Sequence, residues 1–225
     1  MKKLLSAIIA AALLLSGCAS SSRPAESAPP TETPSPSPTP VAAPTPAPEP
    51  ADDELVLVRD YIPGIFIDLK YATTDNFTGQ VIYDSDEAYL RYGTVKKLLA
   101  AQNELSGRGL SLKIWDAYRP VSAQFKLWDI CPNPVYVSDP NNGYSKHSRA
   151  NTVDITLVTS AGESIPMPSG FDDFTSLADR DYSDVSAEAA ENARLLESVM
   201  VENGFVPYSG EWWHYSDSVG YDVYE

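Results

Sequence analysis

The chain holds two histidines in 225 residues, and each lies in a segment built like half of a metal site. One half is Ser145-Lys146-His147-Ser148-Arg149-Ala150-Asn151-Thr152-Val153-Asp154. The other is Glu211-Trp212-Trp213-His214-Tyr215. Two imidazoles and a carboxylate can hold one zinc ion and leave a fourth position open for water. A second carboxylate, three residues ahead of a ligand, can then serve as general base. These are the parts of metal-assisted peptide hydrolysis.

On spacing alone, His147 and Asp154 read more readily as a surface histidine and a turn aspartate. The setting of Asp154 alters that reading, because it sits inside an otherwise apolar strand and a buried carboxylate needs a partner. Glu211 and His214 are three apart, so a regular strand would point them to opposite faces. Serving one ion requires a backbone irregularity, which Ser209-Gly210 can supply. Alone, Glu211 reads equally well as a solvated carboxylate, and Trp212 or Trp213 as core. Arg119, in Asp116-Ala117-Tyr118-Arg119-Pro120, reads either as a cation for a carbonyl that gains negative charge or as a salt-bridge partner of Asp116.

The elements that must position these groups are mixed. Leu55 to Val58 and Ile65 to Ala72 read as strands, separated by a turn at Tyr61-Ile62-Pro63-Gly64. A helix is expected from Thr94, with Val95, Leu98, Leu99 and Leu105 on one stripe and Gly107 and Gly109 ending it. Leu110 to Trp115 reads as a strand. A helix with Phe125, Leu127 and Trp128 follows, and Pro132 and Pro134 end it. Residues 132 to 146 form a loop that delivers His147. Thr152 to Val158 is a strand with Val153, Ile155 and Leu157 on one face and Thr152, Asp154 and Thr156 on the other. Ser186 to Asn203 is a helix with Ser186 as N-cap, Leu195, Leu196, Val199 and Met200 buried, and Gly204 at its C-terminal end. Phe205 to Tyr208 and Trp212 to Tyr215 are strand candidates. The sum is an α+β fold with a mainly antiparallel sheet flanked by helices.

The ends and composition set the context. Lys2 and Lys3 precede an apolar run, Leu4 to Leu15, shorter than the roughly 20 residues a membrane span needs. It closes on Leu15-Ser16-Gly17-Cys18, which resembles a bacterial lipoprotein cleavage box. That reading makes 1–17 a removed leader and Cys18 the lipidated first residue. Residues 18–52 are rich in Pro, Ala, Ser and Thr and read as a solvated tether. The folded domain is then 53–225, and its place is the extracytoplasmic face of the cell membrane. Cys131 is left alone, which excludes thiolate zinc sites of finger type and suits a small core residue better than a nucleophile. The balance of 31 acidic against 16 basic residues gives a net charge of −15. A nucleic-acid partner is therefore excluded, because phosphate binding needs a basic face.

Five segments, in order and spacing, resemble the zinc D-alanyl-D-alanine dipeptidases associated with vancomycin resistance, which share a fold with bacterial D,D-carboxypeptidases and the Hedgehog signalling domain. The segments are Asp68-Leu69-Lys70-Tyr71-Ala72-Thr73-Thr74-Asp75-Asn76-Phe77-Thr78-Gly79, Asp116 to Pro120, Ser145 to Asp154, Pro166-Met167 with Phe171-Asp172, and Glu211 to Tyr215. The Asp75 to Gly79 stretch points to the dipeptidase branch. The resemblance implies one Zn2+ bound by His147, Asp154 and His214, with Glu211 as the general base. It implies Arg119 as the stabiliser of the tetrahedral oxyanion. Ser145 and Asp172 fall at dipeptide-binding positions, Asp172 facing the substrate ammonium. The implied partners are a small D,D-dipeptide or wall peptide and, through lipid, the membrane; no protein partner is implied. The implied role is peptidoglycan turnover or glycopeptide resistance, with two alternatives: a D,D-carboxypeptidase, or a non-catalytic peptidoglycan-binding module.

Two positions depart from the family's His-x-x-Gly-x-Ala-x-Asp pattern: Ala150 replaces the glycine and Thr152 the alanine. A positive φ at the first would strain Ala150 by roughly 1 kcal/mol. The loop between Trp128 and Ser145 is short for the family, which would widen the cleft.

Overall fold

A computed structural model describes residues 48–225. The expected leader, Cys18 and most of the tether lie outside the described residues. Asp52 already belongs to the fold: its carbonyl accepts from Gly93 N at 2.9 Å and its carboxylate pairs with Lys96 at 2.6 Å. Among the described residues no helix is long and apolar enough to cross a membrane.

The elements run β1 (Leu55–Leu57), α1 (Val58–Tyr61), β2 (Phe66–Ile67), β3 (Tyr89–Arg91), α2 (Tyr92–Ser106), β4 (Leu110–Asp116), α3 (Val121–Ile130), β5 (Thr152–Thr159), α4 (Ala187–Glu202), β6 (Phe205–Tyr208) and β7 (Glu211–Asp217). Five strands form the main sheet in the order β2-β4-β5-β7-β6, parallel at β2–β4 and antiparallel elsewhere. The α+β expectation with a mainly antiparallel sheet therefore holds.

Strand β5 is central and buried along nearly its whole length. Val153, Ile155 and Leu157 point one way, as their alternation requires, and join the core with Leu98, Leu105, Leu196 and Met200 of α2 and α4. Ser186 caps α4 by accepting from Ala189 N at 3.2 Å. Gly204 turns the chain out of the helix at φ 87°, a conformation that glycine adopts freely.

Two expectations need correction. The strand foreseen over Ile65 to Ala72 pairs only at Phe66–Ile67, then coils into a 3₁₀ turn over Lys70–Ala72 that buries Tyr71. The apolar alternation there serves the core rather than a ladder. Val58 belongs to a one-turn helix, not to the first strand. On α3, Phe125 is 38% exposed, while Leu127 is buried. Cys131 carries a free thiol and packs, partly buried, against the core.

Candidate metal centre and active site

The centre of the sheet brings the two sequence halves together. Asp154 of β5 is directly opposite His214 of β7 in the ladder. His147 comes from a 3₁₀ turn, Lys146–Arg149, just ahead of β5. One ligand atom from each of His147, Asp154 and His214 lies within 4.8 Å of the other two. His147 Nε2 stands 3.3 Å from Asp154 Oδ2, and His214 Nδ1 stands 2.9 Å from Asp154 Oδ1. Ligand atoms around a tetrahedral ion with bonds of about 2.0–2.2 Å stand roughly 3.3–3.6 Å apart, so the set is close to the size an ion needs.

The tautomer of His147 fits a ligand role. Its Nδ1 is 2.9 Å from the carbonyl of Ala117, which can only accept, so Nδ1 carries the proton. The Nε2 lone pair then faces the Asp154 carboxylate. Such a contact is repulsive unless a proton or a cation sits between the two. The titration behaviour says the same. Burial pulls the His147 pKa down, but the charges of Asp154 and Asp116 outweigh it and hold it above the usual histidine value. Burial pushes Asp154 up, yet the two imidazoles hold it well below the usual carboxylate range. The donor set therefore fits a divalent cation, and the Ala117 carbonyl orients one ligand from behind.

Glu211 opens β7 at the point where that strand's ladder with β6 slips between Pro207 and Tyr208. Its pairing is with Tyr208, beyond the last β5–β7 pair. Freed from the alternation of a regular strand, its carboxylate reaches within 3.5 Å of His214 Nδ1. The expected irregularity is thus present at the hairpin. Burial first, and the charge of Asp154 second, raise the Glu211 pKa above the ordinary value, which moves the group toward the range a general base needs.

Arg119 makes the salt bridge to Asp116 that was one of its two sequence readings. Its Nε and Nη2 donate to Asp116 Oδ2 at 3.2 and 2.5 Å, and its Nη1 donates to Gln124 Oε1 at 3.0 Å. A guanidinium has five N–H groups, so one on each terminal nitrogen stays available for a substrate oxygen. The cation lies 5.0 Å from the centre of the Tyr71 ring. The Tyr71 hydroxyl in turn donates to Asp172 Oδ2 at 2.7 Å. Burial raises the Asp172 carboxyl to about 7, against the opposing pull of that hydrogen bond. Ser145 is buried, and its hydroxyl accepts from His147 N at 3.3 Å, so it caps the turn that presents His147.

Sequence reasoning passed over Asp116 as more than a salt-bridge partner. Its carboxylate also accepts from Tyr83 OH at 2.5 Å and from Ala117 N at 2.9 Å, and lies 3.6 Å from His147 Nδ1. The signal was available: Asp116, like Asp154, is a carboxylate in a buried strand. Tyr71 lay within a quoted segment, but its tie to Asp172 spans 101 positions. In the loop between Trp128 and Ser145, the Tyr136 ring packs 4.4 Å from Phe174, itself 5.4 Å from Phe77.

A sheet whose strands present an imidazole and a carboxylate, with a second imidazole from the turn ahead of β5 and a further carboxylate beside them, is the framework of a metal-dependent hydrolase. Residues 51–222 match the family model described as D-ala-D-ala dipeptidase. A D-alanyl-D-alanine dipeptidase of Escherichia coli (strain K12) is 39% identical over 162 residues, covering 72% of this chain and 83% of that protein. One from Enterococcus faecium is 35% identical over 176 residues, covering 69% and 87%. Among solved structures, VanYB in complex with D-Alanine-D-Alanine aligns at 17% identity with a TM-score of 0.41, over 60% of this chain and 75% of that one. The chain belongs to the D-Ala-D-Ala dipeptidase family of metallopeptidases, and is a hydrolase.

Proposed function

We propose that this protein is an exported, lipid-anchored zinc dipeptidase that releases D-alanine from D-alanyl-D-alanine. His147, Asp154 and His214 would hold one Zn2+. Zinc, when bound, polarises a carbonyl and lowers the pKa of water toward about 7. The chain's own residues do the rest. Glu211 takes the proton of the attacking water and delivers it to the leaving amine. Arg119, fixed by Asp116 and Gln124, offers its two remaining N–H groups to the oxygen that gains negative charge. Asp172, held by Tyr71, pairs with the ammonium of a free dipeptide.

The observation that carries the dipeptidase reading over a carboxypeptidase is Asp172: a half-buried carboxylate bonded to Tyr71 OH, beside the ring that supports Arg119. A free α-ammonium satisfies it, whereas a longer peptide would bring an uncharged amide and leave the carboxylate unpaired. The leader and tether read from the sequence place the domain where wall-derived peptides occur, which supports turnover of peptidoglycan fragments as the source of substrate. Release of D-alanine from free dipeptide and from a muropentapeptide, with and without chelator, tests the reading together with elemental analysis. Chelator-sensitive cleavage of the dipeptide alone, with one zinc per chain, is expected. Cleavage of the pentapeptide alone would replace the dipeptidase with a D,D-carboxypeptidase.

A further inference from the structure

We propose that Arg91 is a positioning residue for the metal centre: it locks the segment after β7 over the turn that presents His147. The inference rests on the metal-site reading above. Arg91 is 8% exposed, and its guanidinium donates to three carbonyls on separate stretches of chain: Arg149 O at 3.1 Å, Asp53 O at 2.6 Å and Asp222 O at 2.9 Å. Its charge also stands 5.5 Å from the Tyr221 ring centre and 4.8 Å from that of Tyr224. A planar fork with five donors suits this three-way junction; a lysine does not.

What the junction holds is the link between two proposed ligands. Ala150 lies between His147 and Asp154 in the left-handed conformation, φ 59° and ψ 26°, which is disfavoured for a residue with a side chain. Such a conformation persists when its surroundings over-determine it. Here the surroundings are explicit. Arg91 N donates to Ala150 O at 2.8 Å, Tyr224 N to Ser148 O at 2.8 Å, and Asp217 N to Asn151 O at 2.8 Å. Arg149 Nη1 returns a bond to Tyr221 O at 2.8 Å, and Asn151 Nδ2 one to Val219 O at 2.9 Å. The strap thus grips the turn at successive residues, and Arg91 grips both strap and turn.

The test is zinc affinity, read by competition with a chromophoric chelator on the full chain, at a temperature where circular dichroism shows each metal-free variant folded. Arg91→Ala is expected to weaken zinc binding about 10-fold or more, as loss of a group that orients ligands does. Arg91→Lys fails to rescue it. Tyr224→Pro, which removes the N–H that meets Ser148 and the ring that meets Arg91, shifts affinity in the same direction by less. Tyr224→Phe, which keeps both, leaves it unchanged. Wild-type zinc affinity in Arg91→Ala and in Tyr224→Pro, whatever their melting temperatures, overturns the proposal; if Arg91→Ala does not fold, Tyr224→Pro decides. A wild type that binds no zinc overturns the metal reading and this proposal together.

Discussion

The two halves of the candidate site are held in different ways. The His147–Asp154 half is interior: both residues are at most 4% exposed, β5 has partners on each side, and the turn ahead of it is bonded to distant segments. The Glu211–His214 half stands at the margin, on a strand whose outer neighbour is the short edge strand β6. There a slip in the ladder frees the carboxylate from strict alternation, and Arg180 ties the hairpin by donating to Tyr208 O at 2.7 Å and His214 O at 3.1 Å. Two of the three groups assigned to hold the ion are built into the sheet and the third comes from the turn ahead of β5, while the group assigned to move a proton sits at a local irregularity at the sheet's end.

This contrast can be broken by mutation. The largest effect is expected at the margin: Glu211→Gln should lower kcat by about 10²–10⁴-fold while one zinc stays bound, seen by steady-state assay and metal analysis. Loss of zinc with activity would show that the two halves are not separable. In the interior, Asp116→Asn leaves the Arg119 cation without its carboxylate. It should cost about 3–5 kcal/mol in urea unfolding, as removal of one partner of a buried pair does. A loss below about 1 kcal/mol would mean that solvent reaches the pair.

A third prediction concerns the loop that faces both halves. The Asp172 carboxyl is raised from 3.8 to about 7, so the folded chain keeps a proton that the unfolded chain has lost. Stability from this group is present below its unfolded value and is lost as pH rises toward 7. Metal-free Asp172→Asn should therefore lack the part of the decline between pH 4 and 7 that the wild type shows in thermal melts. Parallel curves would remove Asp172 from the account. The smallest effect is at Ala150: Ala150→Gly relieves the left-handed strain and should gain roughly 0.5–1 kcal/mol, measured by denaturant midpoint. A loss instead would show that the strap favours the side chain.

Much of this architecture was legible in the sequence where periodicity and burial agree. Strand β5 announced itself by alternation of Val153, Ile155 and Leu157, and α4 by its cap and apolar stripe. The conversion of expected strand into a 3₁₀ turn after Ile67 was not legible, because that turn exists to bury Tyr71 against residues far along the chain. Nor was β3, three residues whose only strand partner among the described residues is the equally short β1. In the site, the ligand candidates stood out by residue type, while the network behind them did not. Tyr83 and Arg91 act through partners that only the fold brings near, and of the partners of Asp116 only Arg119 was close enough in the chain to be named.

The packing of Tyr136 on Phe174, and of Phe174 on Phe77, joins three loops above a floor made of strands. Phe174 and Tyr136 remain substantially exposed, at 44% and 46%, so exchanging them costs the interior little. The Phe77 ring also packs 6.4 Å from Tyr71, whose hydroxyl holds Asp172, so an exchange at the outer pair of rings reaches the candidate site only through Phe77.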